Sequence, residues 1–358
     1  MVAQDGSGTV RTITEAVAMA RDGDTVLVKP GTYTGSIAIT TDITLRGDGD
    51  RKVIVLEFAA DGSKHERDSC CEAFAYGILL YGSDARVGNL TVHGLSEAVA
   101  IPIDGGAPVI DGVDILLDGD PWGGHTGEWY KRSAFRIQGG SSAEIRDSTW
   151  DGHTRVQTLG ANSPTFEDNV ITAQEIRVGS PGNQPVIRGN TFLEGGFSWP
   201  DSGSGGIAED NDIVGCIGVA AGNDPIIRGN RIQGGCGTDP SSAAIGIGGP
   251  SAAVVVDNEI TDSPYGIQVA TGAKPQITGN TILGSSSAAI VVDNGAAPTI
   301  DGNIIEKNAT GIEVLGAPTP VMTGNTLCDN GTDLGVPDGS TLTLAGNTIC
   351  GVAVSAAP

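Results

Sequence analysis

Lysine is scarce in this sequence. Six lysines and fourteen arginines stand against 43 acidic side chains, for a formal net charge of −23. A field of that sign repels nucleic acid and anionic membrane surfaces, so neither is expected as a partner. No apolar run approaches the roughly 18 residues of a membrane span, which excludes membrane insertion by a helix. The sequence shows no signal peptide, and its abrupt opening on Met1 to Gly6 leads to the expectation of a leader already removed. The four histidines are scattered and no C-x-x-C occurs, so no metal site built on His or Cys is expected. Aromatic residues make up only 4%.

Glycine, in contrast, is abundant at 55 residues, and it recurs at fixed places. One short phrase is written again and again: Pro275 to Asn280, Pro298 to Asn303, Pro320 to Asn325, then Leu344 to Asn347. Backwards, the same asparagine falls at Asn258, Asn230, Asn211, Asn190 and Asn169. From 169 to 347 the gaps are 21, 21, 19, 28, 22, 23, 22 and 22 residues. A fixed period in this range means a solenoid. A second apolar run precedes each proline, as at Ile312, Ile290, Ile267, Ile245 and Ile217. These runs alternate and are bounded by Gly, Pro, Asn and Asp, so they are strands. No window in the repeats has room for a helix. The expected fold is all-β: a single right-handed parallel β-helix of about twelve turns with a short N-terminal capping helix. Gly-Asn suits the sharp turn between strands, and stacked asparagines form an amide ladder. One domain spans 1–358, with a cap and first turns at 1–60, loop-bearing turns at 61–206 and regular repeats at 207–358.

The cap helix falls on Thr12 to Arg21, with Asp22 and Gly23 as its stop. It is expected to lie over the open end of the apolar stack, shielding it from edge pairing. Cys216 with Cys236, and Cys328 with Cys350, share a register one turn apart. Two disulfides are therefore expected, and with them an oxidising compartment, secreted, cell-surface or periplasmic.

The segments Val2 to Gly8, Thr12 to Ala16, Val26 to Tyr33 and Thr44 to Asp48 resemble the opening of pectin methylesterases. They also resemble the wider pectin-lyase-like β-helix superfamily, and the repeats continue that likeness to about residue 350. The resemblance implies the fold. It does not carry the esterase chemistry, because the Asp-Phe-Ile-Phe-Gly strand of that family is missing. The Asn-Thr-Asp and Gly-His-Gly motifs of polygalacturonases are missing too. Surface and periplasmic β-helix modules of unassigned role are equally similar.

All histidines, tryptophans and arginines lie at or before residue 231. Insertions break the period at 61–75, 117–132 and 195–206, and loops on one side of a solenoid are where function collects. Counting back from each column proline gives an outward stripe on the first strand of each turn: Arg136, Gln157, Arg177 after a slip of one residue, Trp199 or Ser198, then Gly218, Gly246, Gln268, Val291 and Glu313. Beside it the loops bring Asp118, Asp120, Trp122, His125, Glu128, Trp129, Tyr130, Lys131, Asp151, His153 and Arg155. Aromatic rings stack on sugar faces, and arginines pair with carboxylates, so the ligand expected is a polysaccharide or oligosaccharide, acidic in character. Trp122, Trp129, Tyr130, Gln157 and Trp199 are the candidate substrate-binding residues. Asp120 and Asp151 are candidate carboxylates for glycoside hydrolysis. Lys131, Arg136, His153 and Arg177 are candidates for β-elimination by a polysaccharide lyase, with no cofactor required and Ca²⁺ an option on carboxylates. The alternative class is a non-catalytic carbohydrate-binding or surface-scaffold module.

Overall fold

The computed structural model describes residues 1–59, 64–65, 74–95, 98–118, 133–156, 161–173, 175–179, 181–236, 242–270, 272–293, 295–316, 318–337, 342–350 and 352–354. The chain divides into two compact units, residues 1–177 with 183–186 and residues 178–182 with 187–358. Each is a parallel β-solenoid, and the chain makes about twelve turns in all. One turn contributes a strand to each of three sheets. In the second unit a turn runs Ala288–Val292, Thr299–Asp301, Ile304–Glu306, and each strand pairs in parallel with its copy one turn on. We call these the first, second and third sheets.

The strands are short because the core is narrow. Alternate residues point inward, so a three-residue strand buries one side chain: Ile300 and Ile305 are both 0% exposed. Stacked isoleucines then form continuous apolar columns. In the first unit the column widens to aromatics, with Phe135 edge-on to Trp150 at 5.2 Å between ring centres.

The corner between second and third sheets holds the asparagine column, and every asparagine in it is buried. Asn280 shows the pattern. Its Nδ2 donates to Val255 O at 3.0 Å and to Asn303 Oδ1 at 2.9 Å. Its Oδ1 accepts from the backbone N–H and the Nδ2 of Asn258, at 3.0 and 2.9 Å. Each side chain thus satisfies backbone groups that the bend takes out of the ladder. The residue before each asparagine sits in the left-handed region, and only Gly or Asp occupies it between Asp168 and Gly346. Sterics set the order: a Cβ on Gly279 would stand 2.4 Å from Asp257 Oδ1, so the turn after this aspartate takes glycine.

Two further corners carry the same device, with serine taking the place of asparagine on some turns. Between the first and second sheets, Asn162 Nδ2 donates to Asn183 Oδ1 at 2.8 Å, and Ser204 N–H donates to Asn223 Oδ1 at 2.9 Å. Between the third and first, Ser285 N–H donates to Asn308 Oδ1 at 2.8 Å and Asn308 Nδ2 to Asn330 Oδ1 at 3.0 Å.

Helix α1 (Ile13–Met19) is capped by Thr12, whose hydroxyl accepts from the Glu15 N–H at 3.2 Å. It shares the end of the stack with Val2, which is fully buried and pairs beside the strand Thr25–Val28. Val2 N–H donates to Leu27 O at 2.8 Å, and Lys29 N–H donates to Val2 O at 3.0 Å. The N-terminal segment thus closes this backbone edge beside the capping helix, whose Met19 stays 67% exposed.

Cys216 and Cys236 are bonded, as their register predicts. Cys328 and Cys350 are not, which corrects the second expected pair. Strand pairing ends at Leu327 with Ile349. Cys350 then adopts a left-handed φ of 41° as the chain reverses into Val352–Val354, and its Sγ donates to Asp333 Oδ2 at 3.1 Å.

Two outcomes test this description. Asn280→Ala strands several buried groups, so the urea midpoint should fall by the equivalent of about 3 kcal/mol or more, whereas exposed Gln276→Ala should change stability by under about 0.5 kcal/mol. The bond to the Asp333 carboxylate pushes the Cys350 thiol up to about 11. Alkylation of Cys350 should therefore be slow at pH 8 and rise toward pH 11, while Asp333→Asn should speed it at pH 8.

Candidate functional site

The first sheet of the first unit runs through Ile37–Ile39, Ile78–Tyr81, Val99–Asp104, Ser133–Gln138, His153–Val156 and Glu175–Val178. Phe135 and Ile137 point into the core, each 0% exposed, so Arg136 between them is on the outer face. It is 9% exposed even there. In register, Arg136 pairs with Pro102 on one side and Arg155 on the other. Arg177 follows on the next strand of the sheet, between buried Ile176 and Val178. The Arg177 Nη1 lies 3.4 Å from Glu175 Oε1, with the arginine side chain 33% exposed.

Arginine positions thus fall on three successive strands of the first sheet. The expected stripe had Gln157 in the middle. Gln157 lies outside the described residues, and the register gives its central position to Arg155, because Ser133 pairs with His153 but Phe135 pairs with Thr154. That one-residue irregularity cannot be counted from column prolines. His153 opens the same strand.

Next to Arg136 the outer face carries a pair that the sequence did not announce. Gln138 Nε2 donates to Asp104 Oδ2 at 3.2 Å, and the two residues are 4% and 5% exposed. Asp104 sits two residues past Pro102, so on an alternating strand it shares the outward face of Arg136. A count from prolines that stops at one outward position per strand passes over it.

Other candidates part company. Asp151 ends the third-sheet strand Thr149–Asp151, where its Oδ1 accepts from the Leu117 N–H at 3.3 Å, at the corner leading to His153. Asp118 is also at the end of the third sheet, with Oδ1 3.1 Å from His93 Nε2, and Glu57 Oε1 lies 3.6 Å from the other ring nitrogen. His93 is therefore not part of the first-sheet face. Asp120, Trp122, His125, Glu128, Trp129, Tyr130 and Lys131 lie outside the described residues.

Trp199 is corrected outright. It is 0% exposed in the core of the second unit, edge-on to Phe197 at 5.6 Å, and its Nε1 donates to Gly205 O at 2.7 Å. Ser198 takes the outward place, in register with Gly218. The preference for a buried ring with a satisfied N–H decides between the two neighbours. Trp150 is likewise core, so half of the tryptophans cannot stack on a ligand. Among the described residues no group of three His, Cys, Asp or Glu side chains could hold a metal ion, and no helix is long and apolar enough to cross a membrane.

A family model described as "right handed beta helix region" matches residues 202–349. No curated protein sequence matches the chain. Among solved structures, a mutant of the periplasmic alginate epimerase AlgG is similar with a TM-score of 0.52 and 12% identity, over 89% of this chain and 78% of that one. The catalytic unit of a GH87 α-1,3-glucanase from Streptomyces thermodiastaticus strain HF3-3 is similar with a TM-score of 0.59 and 15% identity. That match covers 94% of this chain and 64% of the glucanase unit. The chain has the right-handed parallel β-helix fold.

Burial assigns Trp199 to stability. Trp199→Ala should lower stability by about 3–5 kcal/mol in a urea titration. The fluorescence of Trp199 should not be quenched by soluble acrylamide, and quenching as in free tryptophan would contradict its placement.

Proposed function

We propose that this protein binds an acidic polysaccharide along the outer face of the first sheet in its first unit, across the strands that carry Arg136, Arg155 and Arg177. The observation that carries this reading is the register. Adjacent strands are about 4.8 Å apart, and Arg136 and Arg177 lie outward on strands two apart, with the Arg155 position on the strand between them. A polymer with one carboxylate on each sugar presents charges at a comparable repeat, and guanidinium groups bond carboxylates in bidentate fashion. Asp104 and Gln138 add a carboxylate and an amide to recognise hydroxyls or to take part in proton transfer.

The net charge of −23 opposes approach of a polyanion. At physiological salt that repulsion fades beyond about 8 Å, whereas contact pairs on a partly buried face are screened less. Affinity must then come from contacts on this face, and association is not electrostatically steered. Two solved structures of the same fold support a carbohydrate ligand, since their names specify alginate and α-1,3-glucan chemistry. The Cys216–Cys236 bond supports a secreted, surface or periplasmic location.

Titration with alginate and polygalacturonate tests the proposal. Arg177→Ala should weaken binding by about 1–3 kcal/mol with little effect on folding, as expected for loss of a charge-assisted bond. Gln268→Ala, outward on a plain turn of the first sheet, should leave binding unchanged. Equal losses in both variants, or no binding by the unaltered protein, would overturn the assignment. Absorbance of unsaturated product and release of reducing ends then separate a lyase or hydrolase from a binding module.

A further inference from the structure

The face that carries the arginine positions also carries an open aromatic ring. Tyr81 ends the first-sheet strand Ile78–Tyr81. Ile78 and Leu80 are each 0% exposed, so alternation turns Tyr81 to the outer side of the sheet, where it is 40% exposed. Of the aromatic side chains whose exposure is described, Tyr265 is half-buried and every other one is buried, so Tyr81 alone offers a ring to solvent. The corner after it is open as well. Gly82 has a left-handed φ of 58°, and a Cβ there would meet nothing within 4 Å among the described residues.

Register fixes what lies next to the ring. Tyr81 pairs with Asp104, and Asp104 pairs with Gln138. These three outward positions follow one another at the strand spacing of about 4.8 Å. Asp104 Oδ2 accepts from Gln138 Nε2 at 3.2 Å, and its Oδ1 lies against Gly139, where a Cβ would stand only 2.3 Å away. Glycine at 139 therefore leaves room for the carboxylate. Arg136 stands on the strand of Gln138, two residues before it, and is the first of the arginine positions. The face thus changes character along the stack, from a ring beside a carboxylate to guanidinium groups. A sugar carboxylate set over Tyr81 would meet Asp104 one strand away and be repelled, whereas over Arg136 it is attracted. A sugar unit at Tyr81 must then be held without charge, and the C–H face of a pyranose against an aromatic ring meets that requirement.

We propose that Tyr81 is a stacking subsite for one sugar unit of the bound polysaccharide, with the C–H face of the unit against the phenol ring and any carboxylate of that unit turned away from Asp104. The subsite rests on the reading that the polysaccharide lies along the first sheet, and it adds a contact that does not depend on the charge of the polymer. Four strand steps separate Tyr81 from Arg177, roughly 19 Å, so an oligosaccharide of about five units at a comparable repeat reaches both.

The test is calorimetric titration of the full chain with hexamers of galacturonate and of mannuronate, each also in a carboxyl-reduced form that carries no charge. At least one hexamer should bind in both forms, the reduced form more weakly. Tyr81→Ala should weaken the two forms by the same factor, about five- to tenfold, the order of an aromatic contact. Tyr81→Phe keeps the ring and should bind within about twofold of the unaltered protein, since an exposed hydroxyl can bond water instead. Tyr81→Gln, a long side chain without a ring, should lose binding like the alanine variant and takes its place if that variant does not fold. Arg177→Ala should weaken only the charged form. Three results would each overturn the subsite: no reduced hexamer bound, the alanine and glutamine variants binding like the unaltered protein, or Tyr81→Phe losing as much as they do. Failure of the arginine positions reads differently. The charged and reduced forms then bind alike and Arg177→Ala changes neither, while Tyr81→Ala still weakens both.

Discussion

Every useful position in this protein depends on the register between one turn and the next, and buried side-chain amides at the corners reinforce that register. A slip of one residue along a strand would move its side chains to the other face. The apolar columns resist such a slip, because it would expose each buried isoleucine and bury its polar neighbours. The corners resist it strongly. Asn280 binds Asn258 behind it and Asn303 ahead, and also a strand carbonyl at Val255. Shifting one turn would break all of these in an environment without water, where each unmade bond carries its full desolvation cost.

The corner requirement explains much of the composition. The abundance of glycine is in part the left-handed residue before each corner amide, with aspartate as the alternative. Acidic residues at these corners and on outward strand positions add to the negative charge. Some are answered across turns, as where Arg146 Nη2 lies 3.1 Å from Asp111, or where Arg231 bridges Asp212 at 3.1 Å and Glu259 at 3.3 Å. Exposed pairs of this kind contribute little stability each, so the corners and the core hold the fold.

The fold was legible because its cause is local and repeated. The asparagine phrase, the strand before each proline, the Thr12 cap and the Cys216–Cys236 pair all follow from short-range chemistry at a fixed period. The other two corners were harder to see, since serine and asparagine share these positions, as at Ser204 and Asn223, so no single residue recurs at the period. Cys350 shows where periodicity fails: the count is right, but the chain turns away at the end of the last strand. The site was legible only in outline. Arg136 was found by the period, and Arg177 by the period with a slip of one residue. Arg155 was displaced from the count by a local irregularity, Trp199 by the competition of adjacent residues for the core, and Asp104 by its second outward place on a longer strand.

The proposed ligand face sets Arg136 and Arg177 on the outer side of one sheet, inside a protein whose overall charge is strongly negative. It is therefore selective by contact, with Arg136 almost covered and Arg177 more open. The most direct measurement is a crystal structure of the protein with a tetrameric uronate oligosaccharide. The account predicts the oligosaccharide lying along the first sheet of the first unit, with carboxylates within hydrogen-bond distance of the Arg136 and Arg177 guanidinium groups. An oligosaccharide bound on the second or third sheet, with both arginines untouched, would contradict it.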